Sequence, residues 1–297
     1  GETRTDEIIA RITKTHQPIK KTTRIFCFGI GTDVNTKLLD LISQKTKAST
    51  EYVLPEENIE LKISRFYSKV AQPVMTNISI QNESTVRLSE KYPKDLPDLF
   101  RGDQLVILGR YKIHQKNENN FKAFMQGNMA GRQVKFNLSE KINSNKDNGF
   151  IARLWATRKV GYLLEEIRLH GESEELKDSV VKLARKWGIV TPYTSYLILE
   201  DEESRGIPIA RQSIGNRQVT PKSNNITIQE ARLMRRKIEA ESFLGFSKNE
   251  SGDSAVAASR ASSELKSANQ SGAFRDAYNE SQYGNTNHDF KQQATRR

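Results

Sequence analysis

Gly29-Ile30-Gly31 follows an apolar run, and Glu51 stands twenty residues beyond the second glycine, the outline of a dinucleotide-binding turn. The third glycine of that motif would fall at position 34, which is Val34, so the residues read instead as a tight strand-to-helix turn. Cys27 lies inside the apolar run, and no histidine is closer in sequence than His16, so it reads as a buried structural thiol rather than a nucleophile. His16, His114, His170 and His288 are scattered without H-x-x-x-H or C-x-x-C spacing, which argues against a zinc site. Ser195, in Thr191–Tyr196, lacks the G-x-S-x-G context of a nucleophile elbow. Glu165 and Glu166 are neighbours, and on a helix adjacent side chains project about 100° apart, so they do not converge on one substrate atom. No catalytic, cofactor-binding or metal-ligating residue is assigned, and no enzymatic activity is expected.

The elements that surround these residues change period along the chain. A short helical stripe (Ile8, Ile9, Ile12) lies within Asp6–Lys14. Arg24–Phe28 reads as a buried strand. Val34, Leu38, Leu41 and Ile42 mark one face of a helix that Asp33 or Asn35 could cap. Thr50–Leu54 is a second strand, and Ile59, Ile63, Phe66, Tyr67 and Val70 give another helical stripe. This order predicts a parallel sheet with covering helices, and two strands are few for such a sheet. From Pro73 to Leu138 the extended candidates are Val74–Gln81, Gln104–His114, Asn120–Gln126 and Gln133–Leu138. A helical hairpin follows, with Trp155 on its first stripe and Trp187 on its second, expected to pack between the two helices. Gly188 is its predicted C-terminal cap, and Tyr193–Leu199 its return strand.

Composition bounds the rest. The chain has 47 Lys and Arg against 36 Asp and Glu, a net charge of +11, with 36% apolar residues and one cysteine. A single cysteine excludes an intramolecular disulfide scaffold. No apolar run approaches the length of a membrane span, and no signal-peptide pattern opens the chain. Residues 205–297 carry 15 basic and 9 acidic side chains and few large apolar ones, which predicts a basic, mostly disordered tail with a possible helix at 228–242. Its densest basic cluster, Arg232 to Lys237, is diluted by Glu230, Glu239 and Glu241 and reads as a solvated helical extension. Seven N-x-S/T sequons occur; in an Asn- and Ser-rich chain chance alone produces several, so they say little about glycosylation.

Arg24–Leu54 (RIFCFGIGTDVNTKLLDLISQKTKASTEYVL) resembles the last two strands of a von Willebrand factor type A domain, and Pro55–Pro73 that domain's terminal helix. Phe150–Asp201 is similar to the segment that follows this domain in inter-alpha-trypsin inhibitor heavy chains and their bacterial relatives. The resemblance implies a mixed α and β chain. Residues 1–73 would be the C-terminal part of a Rossmann-like A domain, 74–148 a β-rich domain, 149–204 the helical hairpin with its return strand, and 205–297 the tail. It also implies an N-terminally truncated fragment, since Gly1-Glu2-Thr3 resembles a loop late in the A domain. A complete A domain holds Mg²⁺ at a metal-ion-dependent adhesion site built on D-x-S-x-S. That motif is nowhere in this chain, so no ligand is carried over and Mg²⁺ is expected only in a full-length family member.

The resulting expectation is a non-enzymatic protein-interaction or adhesion-type module. Its protein partner would be met by surfaces of residues 74–204, with nucleic acid an improbable partner. An extracytoplasmic or cell-surface position is what the resemblance implies. The alternative is a basic scaffold that binds nucleic acid or an anionic surface through residues 205–297.

Overall fold

The computed structural model describes residues 4–16, 23–113, 120–142, 149–191, 193 and 249–269. Helix α1 (Thr5–His16) precedes a βαβ unit in which β1 (Cys27–Ile30) and β2 (Thr50–Val53) pair in parallel, Cys27 opposite Thr50 and Ile30 opposite Val53. Between them runs α2 (Thr36–Lys45), whose first free amides are met by Asn35, the side chain accepting from the Leu38 N–H at 2.9 Å. Asn58 caps α3 (Ile59–Val70) in the same way.

Alternation along β1 sends its side chains to opposite faces. Phe26 and Phe28 meet Phe66 of α3 edge-on, with ring centroids 5.3 and 4.8 Å apart. Cys27, Gly29 and the Tyr52 side chain lie on the other face, toward α2. A Cβ on Gly29 would sit 2.6 Å from the Tyr52 ring, while Gly31 takes a positive φ of 78°. Only Gly31 therefore serves the turn; Gly29 serves the packing of Tyr52.

The β region contains an antiparallel sheet of order β5-β3-β7-β8, formed by β5 (Leu99–Phe100), β3 (Pro73–Asn82), β7 (Asn120–Met129) and β8 (Arg132–Lys141). A separate ribbon pairs β4 (Arg87–Tyr92) with β6 (Leu108–Lys112). Sequence periodicity missed β4 and β5 and began β6 four residues early. In β4 only Tyr92 is buried, so the strand has almost no apolar pattern to read.

The long helix α4 (Gly149–His170) turns back through Gly171 into α5 (Glu174–Trp187), which ends on Gly188 in the left-handed conformation, as its position in the sequence predicted. Val160, Leu164 and Ile167 of α4 form the main core with Val180 and Ala184 of α5 and with Tyr92. Of the expected return strand Tyr193–Leu199, only Tyr193 is described, and it is helical. The possible helix at 228–242 and the basic cluster at 232–237 lie outside the described residues.

One part of the stretch read as a tail is folded. Helix α6 (Asp253–Ser267) buries Ala255, Val256, Ala258, Ser259, Ser262 and Leu265 between α2 and α4. Composition hid it because its buried face is made of small residues. Close backbone approach replaces bulk there, and Gly161 of α4 leaves the space that Leu265 and Lys266 occupy.

Candidate functional site

Helix α2 buries a polar stripe, Thr36, Asp40 and Ser43, at i, i+4 and i+7. Asp40 is its centre. Tyr52 Oη donates to Asp40 Oδ1 at 2.9 Å, Ser259 Oγ of α6 donates to Oδ2 at 2.5 Å, and Arg168 Nη2 of α4 donates to Oδ2 as the ion-pair partner. Burial, and then the charge of Asp40, push the Tyr52 hydroxyl well above the usual tyrosine range, which keeps it a donor. The carboxylate thus joins four elements, β2, α2, α4 and α6. Arg168 is 2% exposed, and its Nε and Nη1 have no hydrogen-bond partner among the described residues.

Beside this joint opens a polar cleft of about 290 Å³, lined among others by Gln44, Lys62, Glu165, Arg260 and Lys266. Lys266 Nζ bonds both carboxylate oxygens of Glu165, at 2.6 and 2.7 Å, and Gln44 Nε2 approaches the same group at 3.4 Å. Glu57 accepts from Lys62 Nζ at 2.7 Å and from the Leu54 N–H at 2.8 Å, with Arg260 of α6 3.5 Å away. Burial works to raise the Glu57 pKa, but these donors and the Arg260 charge outweigh it and hold the carboxyl below its usual range.

Both ends of α6 are fastened by other contacts. At its start, the Glu250 carbonyl accepts from the Thr36 N–H at 2.8 Å, and the Gly252 N–H donates to the Thr32 carbonyl at 2.9 Å. At its end, buried Arg158 donates to the Ala268 and Val106 carbonyls and to Asn269 Oδ1. A cation there meets the negative end of the helix dipole, while burial lowers the Arg158 pKa. A further joint ties the segment just before β1 to the β-rich part. Arg24 grips Asp98 through Nε and Nη2 at 2.8 and 2.9 Å, and the Asn77 N–H donates to the same carboxylate.

The residues singled out from sequence are separated rather than assembled. Cys27 is buried, and desolvation followed by the Asp40 charge raises its thiol pKa, so its reactive thiolate is disfavoured. Glu165 turns to Lys266, whereas Glu166 pairs with His170 at 3.2 Å. Trp155 belongs to the buried cluster that includes Val180 and Ala184 of α5, with Trp187 partly buried against it; its Nε1 also donates to the Glu90 carbonyl and its ring meets Tyr92 edge-on, against the β4–β6 ribbon. The indole N–H needs an acceptor when buried, and the ribbon supplies one. Ser195, His114 and His288 lie outside the described residues, as does the side chain of His16. Among the described residues no group of three or more His, Cys, Asp or Glu could hold a metal ion. No described helix is long and apolar enough to cross a membrane.

Two apolar rows face outward. On α3, Ile59, Ile63 and Tyr67 follow one another at i, i+4 and i+8, exposed by 41, 39 and 69%. Only Lys62, Phe66 and Val70 of that helix are even half-buried. The stripe used to predict α3 was therefore read correctly as helical, but most of it does not point into the molecule. The second row, on β8, includes Phe136 and Leu138.

A βαβ unit with covering helices, followed by a β-rich part and a helical hairpin, makes this a mixed α and β chain. No family model matches the chain. The inter-alpha-trypsin inhibitor heavy chain H3 of Rattus norvegicus is 23% identical over 242 residues, covering 78% of this chain and 27% of the relative. Heavy chain H4 of Bos taurus is 24% identical over 202 residues, 64% of this chain and 22% of the relative. A von Willebrand factor A domain-containing protein of Dictyostelium discoideum is 24% identical over 184 residues, 61% of this chain and 20% of the relative. Among solved structures, the ArnB paralog VWA2 from Sulfolobus acidocaldarius aligns with a TM-score of 0.31 and 11% identity over 62% of this chain and 53% of that one, too loosely to carry any part of the assignment. The sequence relatives bear out the resemblance to von Willebrand factor A domain proteins of the inter-alpha-trypsin inhibitor heavy chain-like family. The chain spans about a quarter of the length of the curated relatives it matches.

Proposed function

We propose that this chain is a non-enzymatic protein-binding module that meets its partner without a metal ion of its own, through the apolar row on α3 rather than through the surfaces of residues 74–204 that the sequence led us to expect. The observation that carries the reading is the exposure of Ile59, Ile63 and Tyr67 on a helix with no fully buried residue. An apolar row of this kind on a well-capped helix marks a contact surface, because it costs solvation without serving the core. The engagement of the carboxylates around α6 is in keeping with the non-catalytic part of the reading. Asp40, Glu57 and Glu165 each accept from protein donors, which disfavours these three groups as general bases.

The test is photo-crosslinking of the full chain in extracts from its source, with the crosslinking residue placed at position 67. Protein adducts that survive EDTA and nuclease, and that vanish on Ile63→Glu, are expected. Adducts lost with EDTA would defeat the metal-free part. Binding of Mg²⁺ tightly at a single site, read by calorimetry, would defeat it as well. Adducts that are nucleic acid, with affinity for polyanions falling steeply with salt, would favour the basic-scaffold reading instead.

A further inference from the structure

We propose that β8 pairs with β8 of a second copy of this chain, antiparallel and centred on Phe136, joining two four-stranded sheets into one continuous sheet. This goes beyond the α3 surface and does not rest on it.

Strand β8 is the outer strand of its sheet among the described residues. Nine of its ten positions are exposed and the tenth, Val134, is half-buried. Its register with β7 runs unbroken over ten pairs, so no bulge twists the edge away, and it contains no proline. Such an edge offers its free N–H and C=O groups as a template for another strand.

The geometry of the hairpin says which groups are free. Ala130 and Gly131 both have positive φ, 49° and 77°, and form the two-residue turn closed by Met129 and Arg132. That closing pair is hydrogen-bonded, as the turn requires. Alternation then commits the main-chain groups of Arg132, Val134, Phe136, Leu138 and Glu140 to β7. Those of Gln133, Lys135, Asn137 and Ser139 point to the open edge. An antiparallel copy can therefore match odd-numbered residues only with odd-numbered ones.

Side-chain chemistry chooses among the registers this leaves. Centred on Phe136, the pairing sets Arg132 opposite Glu140, Val134 opposite Leu138, and Phe136 opposite its own copy. All three are pairs without direct hydrogen bonds, where Cβ atoms come within about 4.5–5.5 Å and side chains interact most. Phe136 and Leu138, each 42% exposed, would be covered. Lys135 would face Asn137. Moving the centre to Lys135 sets two lysines against each other; moving it to Asn137 sets Val134 against Glu140. The strand reads Arg-x-Val-x-Phe-x-Leu-x-Glu, apolar at its middle and oppositely charged at its ends, which is the pattern an antiparallel self-pair needs. About eight inter-chain main-chain hydrogen bonds result. The interface is at the small end of specific ones, so a dissociation constant on the order of 10 µM is expected.

Sedimentation equilibrium of the full chain from about 1 to 200 µM should show the mass doubling over the range that constant sets. Phe136→Cys should form a covalent dimer on oxidation, whereas Lys135→Cys should not, because in this register its copy lies beyond disulfide reach. Asn137→Pro removes an outward N–H and leaves the β7 ladder intact, so it should abolish the dimer without lowering the melting temperature. Arg132→Glu should weaken the dimer about tenfold, and Arg132→Glu with Glu140→Arg should restore it, which decides the matter even if the proline variant folds poorly. A chain that stays monomeric at 200 µM would overturn the proposal. So would crosslinking at Lys135→Cys in place of Phe136→Cys, or a dimer indifferent to the charge reversal.

Discussion

Replacing Gly161 with alanine pits two known effects against each other, and the structure says which wins. Alanine in a helix interior is better than glycine by about 1 kcal/mol, so α4 alone would gain. The new Cβ, however, would lie 2.7 Å from Leu265 Cβ, 2.8 Å from the Lys266 backbone nitrogen and 3.0 Å from the Leu265 carbonyl carbon. Those atoms belong to the backbone and first side-chain carbon of α6, so no rotamer change relieves the contact. Overpacking of this kind costs about 1–3 kcal/mol. If α6 backs away, the Ser259–Asp40 and Lys266–Glu165 hydrogen bonds lengthen too, and charged ones are worth about 1.5–3 kcal/mol each. The net expectation is a loss of about 1–3 kcal/mol in the docking of α6, concentrated there. Amide hydrogen exchange should show residues 255–265 opening roughly 5- to 150-fold more often, with the β7–β8 hairpin unchanged. Gly149→Ala is the control, since nothing among the described residues lies within 4 Å of a Cβ at that position. Unchanged protection of α6 together with a raised melting temperature would mean that α6 does not sit against Gly161.

Two further outcomes follow from the polar contacts around α6. Asp40→Asn leaves Arg168 buried without a counter-charge and should cost about 3–5 kcal/mol in denaturant unfolding. Arg168→Met should cost less, because Tyr52 and Ser259 still solvate Asp40 and two unbonded guanidinium nitrogens disappear; the reverse order would mean that Arg168 is not confined as described. Glu57 supplies the pH dependence. Its folded pKa is lowered, so its contribution is present above the unfolded value of about 4.3 and lost as pH falls through the folded one. Glu57→Gln should therefore be less stable than the native chain at pH 7 and converge with it toward pH 3, and a gap that persists in acid would contradict the assigned hydrogen bonds.

What could be read in the sequence was what repeats. The α2 and α3 stripes, the Asn35 cap and the Gly188 terminus are local signals, and each appears where spacing or residue type placed it. The Asp40 joint was not legible, for physical reasons. Thr36, Asp40 and Ser43 are a buried stripe written in polar residues, so apolar periodicity chose Val34, Leu38, Leu41 and Ile42 as the inner face. Arg168 and Ser259 lie 128 and 219 residues away from Asp40, and no local rule connects them. A polar residue recurring at i, i+4 and i+7 beside an apolar face is the one signal that could have raised the question. Helix α6 was hidden for the complementary reason, since Ala and Ser carry too little bulk to announce a core face. The exposure of Ile59, Ile63 and Tyr67 shows the converse: a helical stripe declares a helix, but not which of its residues the fold will cover.

The same smallness explains why the α6 contact is built from hydrogen bonds. Alanine and serine side chains offer a nearly smooth surface, and Val256 and Leu265 are its only large buried side chains. A smooth helix can slide by a turn at little loss of apolar area, so burial alone would bind it without setting its register. Point contacts do set it. Ser259 reaches Asp40, Lys266 seven residues later reaches Glu165, and the Glu250 and Gly252 main-chain bonds fix the start, so a shift of even one residue breaks them together. The buried polar groups therefore act on specificity more than on stability, the role best attested for such groups. They also explain how a segment from the compositionally weakest third of the chain becomes part of its core.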